Sequence, residues 1–139
     1  MTTDFDLERF VDAQDPVYGA VLDELRSGRK RTHWMWFIFP QVAGLGSSAM
    51  ARKYAISSTD EAAAYLAHPV LGPRLRECAR LVAAIDDKAI EDIFDDPDDR
   101  KFHSSMTLFA DVDPDEAVFQ ECLDKDFDGR ADPATMEHL

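Results

Sequence analysis

Apolar side chains recur every three or four residues along most of the chain, which is the spacing of one face of an α-helix. One such face begins near Leu7, a second ends at Gly28, and a longer one follows Pro69. The run from Trp34 to Phe39 is apolar on every side, but no second strand-like run exists with which it could pair. The pattern therefore predicts an all-α fold, a compact single-domain helical bundle over residues 1–139 with seven to nine helices and no sheet.

Aspartate or histidine precedes proline at five places, and such pairs are typical of helix starts. Aspartate can accept a hydrogen bond from an early amide of the helix, and proline at the first helical position lacks only a donor that would go unused. Ser58, with Glu61 three residues later, matches the same signal through the capping box. The five predicted starts follow Asp15, His68, Asp96, Asp113 and Asp132.

The stretch from Thr32 to Tyr54 concentrates aromatic surface beside a glycine-containing turn. It holds both tryptophans of the chain, Trp34 and Trp36, and leads through Gly44 and Gly46 into a predicted helix start at Ser47 or Ser48. We favour a short buried helix for residues 34–39. Its all-apolar surroundings predict that Trp36 is deeply buried, so that its replacement by alanine would cost about 3–5 kcal/mol.

Charge is distributed unevenly along a chain whose formal net charge is −13. No acidic residue occurs between Leu25 and Thr59, where the basic residues are Arg26, Arg29, Lys30, Arg31, Arg52 and Lys53. The overall charge argues against nucleic acid or an anionic membrane as a partner, because phosphate contacts need clustered lysine and arginine. The basic segment could instead bind a small anionic molecule, or it could be a solvated face.

The two cysteines and the N-terminal sequence bear on the expected cellular context. Cys78 and Cys122 show no paired spacing and are interpreted as buried apolar residues rather than a disulfide or zinc ligands. The acidic start lacks the pattern of an export signal, and no apolar run is long enough to span a membrane. We therefore expect a cytoplasmic protein.

The segment Gly44-Leu45-Gly46-Ser47-Ser48-Ala49 fits a loose dinucleotide-binding pattern in its letters alone. That motif requires a preceding strand and a βαβ unit, whereas here helices are predicted on the C-terminal side and Pro40 interrupts the approach. No cofactor is therefore predicted. Glycines before a helix start can still expose amides to an anion, with Arg52 and Lys53 nearby.

Several polar residues are candidates for acid–base or nucleophilic chemistry. In the segment after Pro97, Lys101 is followed three and four residues later by Ser104 and Ser105. A lysine so placed could activate a serine or bind phosphate. Such serines more often bond to the backbone. His33 is the histidine beside the aromatic run and the basic segment, so it is the candidate acid or base.

Metal binding is not predicted from the histidines or from the acidic C-terminal segment. The four histidines show no paired spacing. Residues 124–129 resemble the start of an EF-hand loop, but the twelfth position is Thr135 where a bidentate glutamate is needed, and Pro133 interrupts the loop. A solvated acidic turn is the favoured interpretation.

Several motifs together resemble the bacterial domain of unknown function 1810, a family often mislabelled calpastatin. They are FVDAQ at 10–14, HWMWFIFPQ at 33–41, GLGSS at 44–48, KYAI at 53–56, LAHPVLGPRL at 66–75 and KFHSSMTLF at 101–109. The resemblance covers the chain from about Phe10 to its last residue and implies a mainly α-helical single domain. It implies no established activity, substrate or cofactor.

Two functional hypotheses follow from these residues. In the first, an aromatic and basic pocket binds or processes an anionic nucleotide-like or ADP-ribose-like molecule, with His33, Lys101 or Ser105 as catalytic candidates. In the second, the protein is a non-catalytic all-α interaction module whose polar residues hold loops to helices. The ligand-binding candidates of the first hypothesis are Gln14, Trp34, Trp36, Gln41, Gly44, Gly46, Ser47, Ser48, Arg52, Lys53 and Ser104.

Overall fold

The fold was analysed in a computed structural model, which describes residues 5–139. Over that range the chain forms ten helices and no strand, apart from one parallel bridge between Val42 and Ile56. The helices are α1 (Glu8–Gln14), α2 (Tyr18–Arg26), α3 (Met35–Ile38), α4 (Ala49–Lys53), α5 (Thr59–Ala67), α6 (Leu71–Ala83), α7 (Ile90–Ile93), α8 (Asp98–Val112), α9 (Ala117–Phe127) and α10 (Pro133–Glu137).

The predicted all-α class is confirmed, and the helix number slightly exceeds the predicted seven to nine. The excess arises because the short segments after Ala89 and Asp132 are both helical, as α7 and α10. No helix in the described range is long and apolar enough to cross a bilayer.

The long helix α8 forms the centre of the fold. It packs against α5, α9 and α10 and also contacts α3 and α7. Phe102 and Phe109 of α8 are fully buried, and the Phe102 ring packs edge-on against Phe39 with ring centroids 4.9 Å apart. The aromatic run after Trp34 thus anchors the basic segment to the core.

Serine caps and one aspartate cap begin helices as the sequence predicts. The Ser48 hydroxyl accepts a hydrogen bond from the Ala51 amide at 3.1 Å, and the Ser58 hydroxyl accepts one from the Glu61 amide at 3.2 Å. Asp132 caps α10 through the Thr135 amide at 3.2 Å, with proline at the first helical position. These caps satisfy amides that the first helical turn leaves without partners.

The other aspartate–proline pairs lie near helix starts, but their aspartates are not caps. Asp15 forms an ion pair with Arg74 at 2.9 Å, and Asp96 forms one with Arg100 at 2.6 Å. After Asp113, helix α9 begins only at Ala117, with Glu116 as its N-cap residue. The predicted aspartate caps at these three positions are therefore wrong, because the carboxylates of Asp15 and Asp96 pair with arginines and the backbone carbonyl of Asp113 accepts the Glu116 amide in a turn upstream of α9.

Candidate functional site

The glycine-containing segment forms a closed loop whose two ends are held together by the backbone. The Ile56 amide donates to the Gln41 carbonyl at 2.8 Å, and the Ala43 amide donates to the Ile56 carbonyl at 2.8 Å. The guanidinium of Arg9 donates to the carbonyls of Lys53 and Ala55, both at 2.7 Å. Residues 41–56 are thereby fixed on the protein although helix α4 itself buries no side chain.

Two adjoining cavities lie along this loop. The smaller has a volume of about 140 Å³, and the larger has a volume of about 350 Å³. Gln41, Gly46 and Ala51 line both cavities, so the two adjoin, and together they are called the cleft. The smaller is also lined by Trp36, Val42, Ala43, Gly44, Arg52, Tyr54 and Ala55, and the larger by Leu45, Ser47, Ser48, Pro97, Arg100 and Lys101.

Glycine is required at both ends of the turn that forms the cleft wall. Gly44 has a φ of 100°, which is unfavourable for other residues, and a Cβ there would lie 2.6 Å from the His138 ring. A Cβ at Gly46 would lie 2.6 Å from that of Ala51. The α4 helix that follows has only five residues, and its Ser48 cap already takes one early amide. Its helix start is therefore a poor anion cradle, and the side-chain cations define the charge of the cleft.

The cleft contains three cationic side chains in different states of pairing. Arg52 is exposed and forms no ion pair with a carboxylate of residues 5–139. Arg100 is paired with Asp96 through Nε at 2.9 Å and Nη2 at 2.6 Å, and this pairing raises the pKa of its guanidinium. Lys101 lies 3.7 Å from Asp98, but that carboxylate is held more closely by Lys30, at 2.8 Å.

Trp36 and Lys101 meet across the cleft. The Lys101 ammonium lies 4.9 Å from the centroid of the Trp36 ring, within the range of a cation–π contact. Trp36 is only half-buried, so the prediction that it is deeply buried is wrong. The buried tryptophan is Trp34, with 1% of its surface exposed, because this N-cap residue of α3 packs against Phe39 and Phe94.

Glu24 accepts a hydrogen bond from the buried Trp34 indole and was not identified from the sequence. Its carboxylate accepts hydrogen bonds from the Arg31 amide at 2.6 Å, the Thr32 amide at 2.9 Å, the Thr32 hydroxyl at 2.6 Å and Trp34 Nε1 at 3.1 Å. Burial acts to raise the pKa of Glu24, but these hydrogen bonds to the ionised form outweigh it and lower the pKa. Glu24 therefore fixes the backbone of Arg31 and Thr32, which leads into the aromatic run.

Gln14 also belongs to the core rather than to the cleft. It is 1% exposed, and its Nε2 donates to the Phe37 carbonyl at 2.7 Å and the Tyr65 hydroxyl at 3.0 Å. Its Oε1 accepts from Arg74 at 3.3 Å. Because the amide already has protein partners on both sides, Gln14 and the buried Trp34 are corrected from ligand contacts to packing residues.

The serines of α8 are buried and do not reach the cleft. Ser104 is 1% exposed, and its hydroxyl bonds to that of Thr135 at 2.7 Å, which fastens α10 to α8. Ser105 is fully buried, and its hydroxyl has no hydrogen-bond partner among residues 5–139. A serine without solvent access or a neighbouring base is not placed to act as a nucleophile. The proposed catalytic role of Ser105 and the ligand-binding role of Ser104 are therefore corrected.

His33 and Lys53 lie outside the cleft. His33 is exposed and lines neither cavity. The Lys53 ammonium lies 5.3 Å from the Tyr54 ring centroid, and Lys53 also lines neither cavity. Of the predicted site residues, the structure brings together Trp36, Gln41, Gly44, Gly46, Ser47, Ser48, Arg52 and Lys101.

Arg100 and Pro97 are cleft residues that sequence reasoning missed. Pro97 stands between two pairs of aspartates and Arg100 follows the second pair, so the local charge is acidic and the basic segment of the sequence ends before Thr59. The adjacency of Arg100 to Lys101 was the only available signal. Their position beside Ser47 depends on the packing of α8, which local charge does not indicate.

The acidic C-terminal segment does not form an EF-hand loop. Asp124 and Asp126 lie within α9, and Asp132 is occupied in capping α10. Within the part of the chain that the structure describes, no group of three or more histidine, cysteine, aspartate or glutamate residues is arranged to hold a metal ion.

The fold and the cleft together define an all-α protein with a cationic cleft bordered by a half-buried tryptophan. The chain belongs to the family described as "Protein of unknown function (DUF1810)", whose model matches residues 4–139. This confirms the resemblance inferred from the motifs.

A solved structure similar to this chain is the crystal structure of the conserved hypothetical protein Rv1873 from Mycobacterium tuberculosis at 1.38 Å. The two share 54% sequence identity and a TM-score of 0.97, over 99% of this chain and 98% of the other. A comparison with curated proteins finds no match.

Proposed function

We propose that the cleft binds a small anionic molecule of the nucleotide-like or ADP-ribose-like class. The observation that carries this proposal is the position of Arg52, which lines the smaller cavity near Trp36 without a carboxylate partner among residues 5–139. A guanidinium can bind phosphate or carboxylate through two parallel hydrogen bonds. A half-buried aromatic ring offers a planar group a surface on which to stack.

The size and polarity of the cleft support this ligand class. The smaller cavity, of about 140 Å³, lies below the roughly 300–1,000 Å³ typical of small-molecule pockets, whereas the larger, of about 350 Å³, lies within it, so a ligand of this class would have to occupy both. The lining combines two aromatic rings, a neutral amide, two serines and three cations. Because the chain as a whole is strongly acidic, recognition of an anion must rely on these local cations rather than on long-range attraction.

The neighbouring residues Arg52 and Lys53 provide a matched test. Each carries one positive charge and both are exposed, but only Arg52 lines a cavity. Binding of adenosine monophosphate, ADP-ribose and adenosine is measured by titration calorimetry for the wild-type protein, R52Q and K53Q. We expect the phosphate compounds to bind more tightly than adenosine, R52Q to weaken them about tenfold and K53Q to change them less than about twofold.

Salt dependence and stability complete the test. Affinity for the phosphate compounds should fall as ionic strength rises, since exposed charges are screened beyond ~8 Å at physiological salt. Both variants should unfold within about 0.5 kcal/mol of the wild-type protein. Equal binding of adenosine and its monophosphate, or equal effects of R52Q and K53Q, would overturn the proposal and leave the non-catalytic interaction module as the better account.

A further inference from the structure

The cations of the cleft are divided between its two cavities. Arg52 lines the smaller cavity only, whereas Arg100 and Lys101 line the larger cavity only. The residues that line both, Gln41, Gly46 and Ala51, carry no charge. A ligand that reaches both cavities would therefore meet a cation in each of them and uncharged residues where the two linings overlap.

In the larger cavity, Arg100 and Lys101 keep N–H groups that their ion pairs do not use. Asp98 is held at 2.8 Å by Lys30, so the Lys101 ammonium at 3.7 Å is left without a close carboxylate bond and lies over the Trp36 ring. Arg100 uses Nε and Nη2 to contact Asp96, which orients the guanidinium, while its Nη1 has no partner among the described residues. Lys101 and Arg100 can therefore donate hydrogen bonds to an anion while the Lys30–Asp98 and Arg100–Asp96 pairs stay intact.

The residues that line both cavities favour a neutral, hydrogen-bonding part of the ligand. The Gln41 side chain is half-buried and makes no hydrogen bond with any residue from 5 to 139, although its backbone carbonyl is bonded to Ile56. An amide provides both a donor and an acceptor, which suits hydroxyl groups or a ring edge. Gly46 and Ala51 keep this region free of large side chains.

From this division, and resting on the proposed function, we infer that the site selects nucleotide-like ligands with two separate anionic groups. One anionic group contacts Arg52, the other contacts Lys101 and Arg100, and Gln41 bonds the neutral part between them. A single phosphate fills only one of the two positions. A pyrophosphate, such as that of ADP-ribose, holds its charges on two adjoining phosphoryl groups, so we expect it to fill one position and to bind more weakly than a ligand that fills both.

Two adenine nucleotides with the same number of phosphates test this inference. Adenosine 3′,5′-bisphosphate carries its phosphates on two different hydroxyls, whereas adenosine diphosphate carries both on one. Titration calorimetry on the full chain should give a dissociation constant about tenfold lower for the bisphosphate. R52Q and K101Q should each weaken the bisphosphate about tenfold, whereas only one of them should weaken adenosine monophosphate by that factor.

Controls separate this inference from the proposed function. K53Q, which alters a cation outside the cleft, should leave the preference for the bisphosphate unchanged, and circular dichroism should show that each variant is folded. If the diphosphate binds as tightly as the bisphosphate while both bind better than adenosine, the two-anion inference is overturned and the anion site stands. If no phosphate compound binds better than adenosine, both are overturned.

Discussion

Polar side chains are used in opposite ways in the cleft and in the Glu24 corner, which consists of Glu24 and its partners Arg31, Thr32 and Trp34. At the corner, one buried carboxylate accepts four hydrogen bonds and fixes the backbone before the aromatic run. In the cleft, the Gln41 amide and the Arg52 guanidinium make no such bonds with residues 5–139, and both reach solvent. The two regions are only a few residues apart in sequence, since Trp34 ends one and Trp36 borders the other.

The difference between the two regions indicates which polar side chains hold the fold together and which are free to bind a ligand. A buried polar group without a partner is costly, and Gln14, Glu24 and Ser104 have partners in the core, whereas the buried hydroxyl of Ser105 is an exception among the described residues. An exposed polar group is already satisfied by water and can exchange it for a ligand at small cost. Polar residues within the family motifs therefore divide into those that hold the fold and those that remain available.

The two tryptophans give the largest expected contrast between the regions. Trp34 is 1% exposed and packs edge-on to Phe94 at 6.3 Å, so W34A should lower the free energy of unfolding by about 3–5 kcal/mol. Trp36 is half-buried, so W36A should cost about 1–2 kcal/mol and mainly weaken ligand binding. Urea denaturation measures both losses. A larger loss for W36A than for W34A would contradict the assignment of the two side chains.

Glu24 should give the next largest effect, and the effect should depend on pH. Glutamine at this position cannot accept all four hydrogen bonds, so E24Q should be about 2–3 kcal/mol less stable at pH 7. The pKa of Glu24 is lowered from an ordinary value of 4.5 in the folded protein. Its ionisation therefore stabilises the fold above the unfolded-state pKa, and this contribution is lost as pH falls through the folded-state pKa.

Denaturation curves at several pH values test the role of Glu24. The stability difference between the wild-type protein and E24Q should be full at pH 7 and should shrink as the solution is acidified below about pH 4. An equivalent substitution of an exposed acid with no hydrogen bond to the backbone, such as E121Q, should show no such trend. A difference that stays constant with pH would mean that ionisation of Glu24 does not contribute to stability.

The neighbouring serines of α8 give the smallest expected contrast. S104A removes the 2.7 Å hydrogen bond to Thr135 and leaves that hydroxyl with only Asp132, so it should cost about 1 kcal/mol. S105A removes a buried hydroxyl that has no partner among residues 5–139, so it should be neutral or slightly stabilising. Thermal unfolding distinguishes the two. Equal destabilisation by both would show that Ser105 has a partner not identified in the described residues.

Local sequence information accounts for most of the fold. The spacing of Phe10 and the residues around it predicted α1, and the hydroxyls of Ser48 and Ser58 predicted the starts of α4 and α5. These features depend on residues three or four positions apart, because helical hydrogen bonds and caps are made within a single turn. The absence of a partner for the apolar run at Trp34 likewise indicated helix rather than strand.

By itself, then, the sequence determined the helical class, several helix starts and the presence of a basic, aromatic segment. Only the tertiary structure decided that Trp34, just before α3, is buried while Trp36 within α3 borders the cleft, since the side chain that packs against Phe39 and Phe94 is that of Trp34. It likewise brought Arg100 and Lys101 beside a loop about fifty positions earlier in the chain. Such long-range proximity arises from the burial of α8 against its neighbours, which no short stretch of residues encodes.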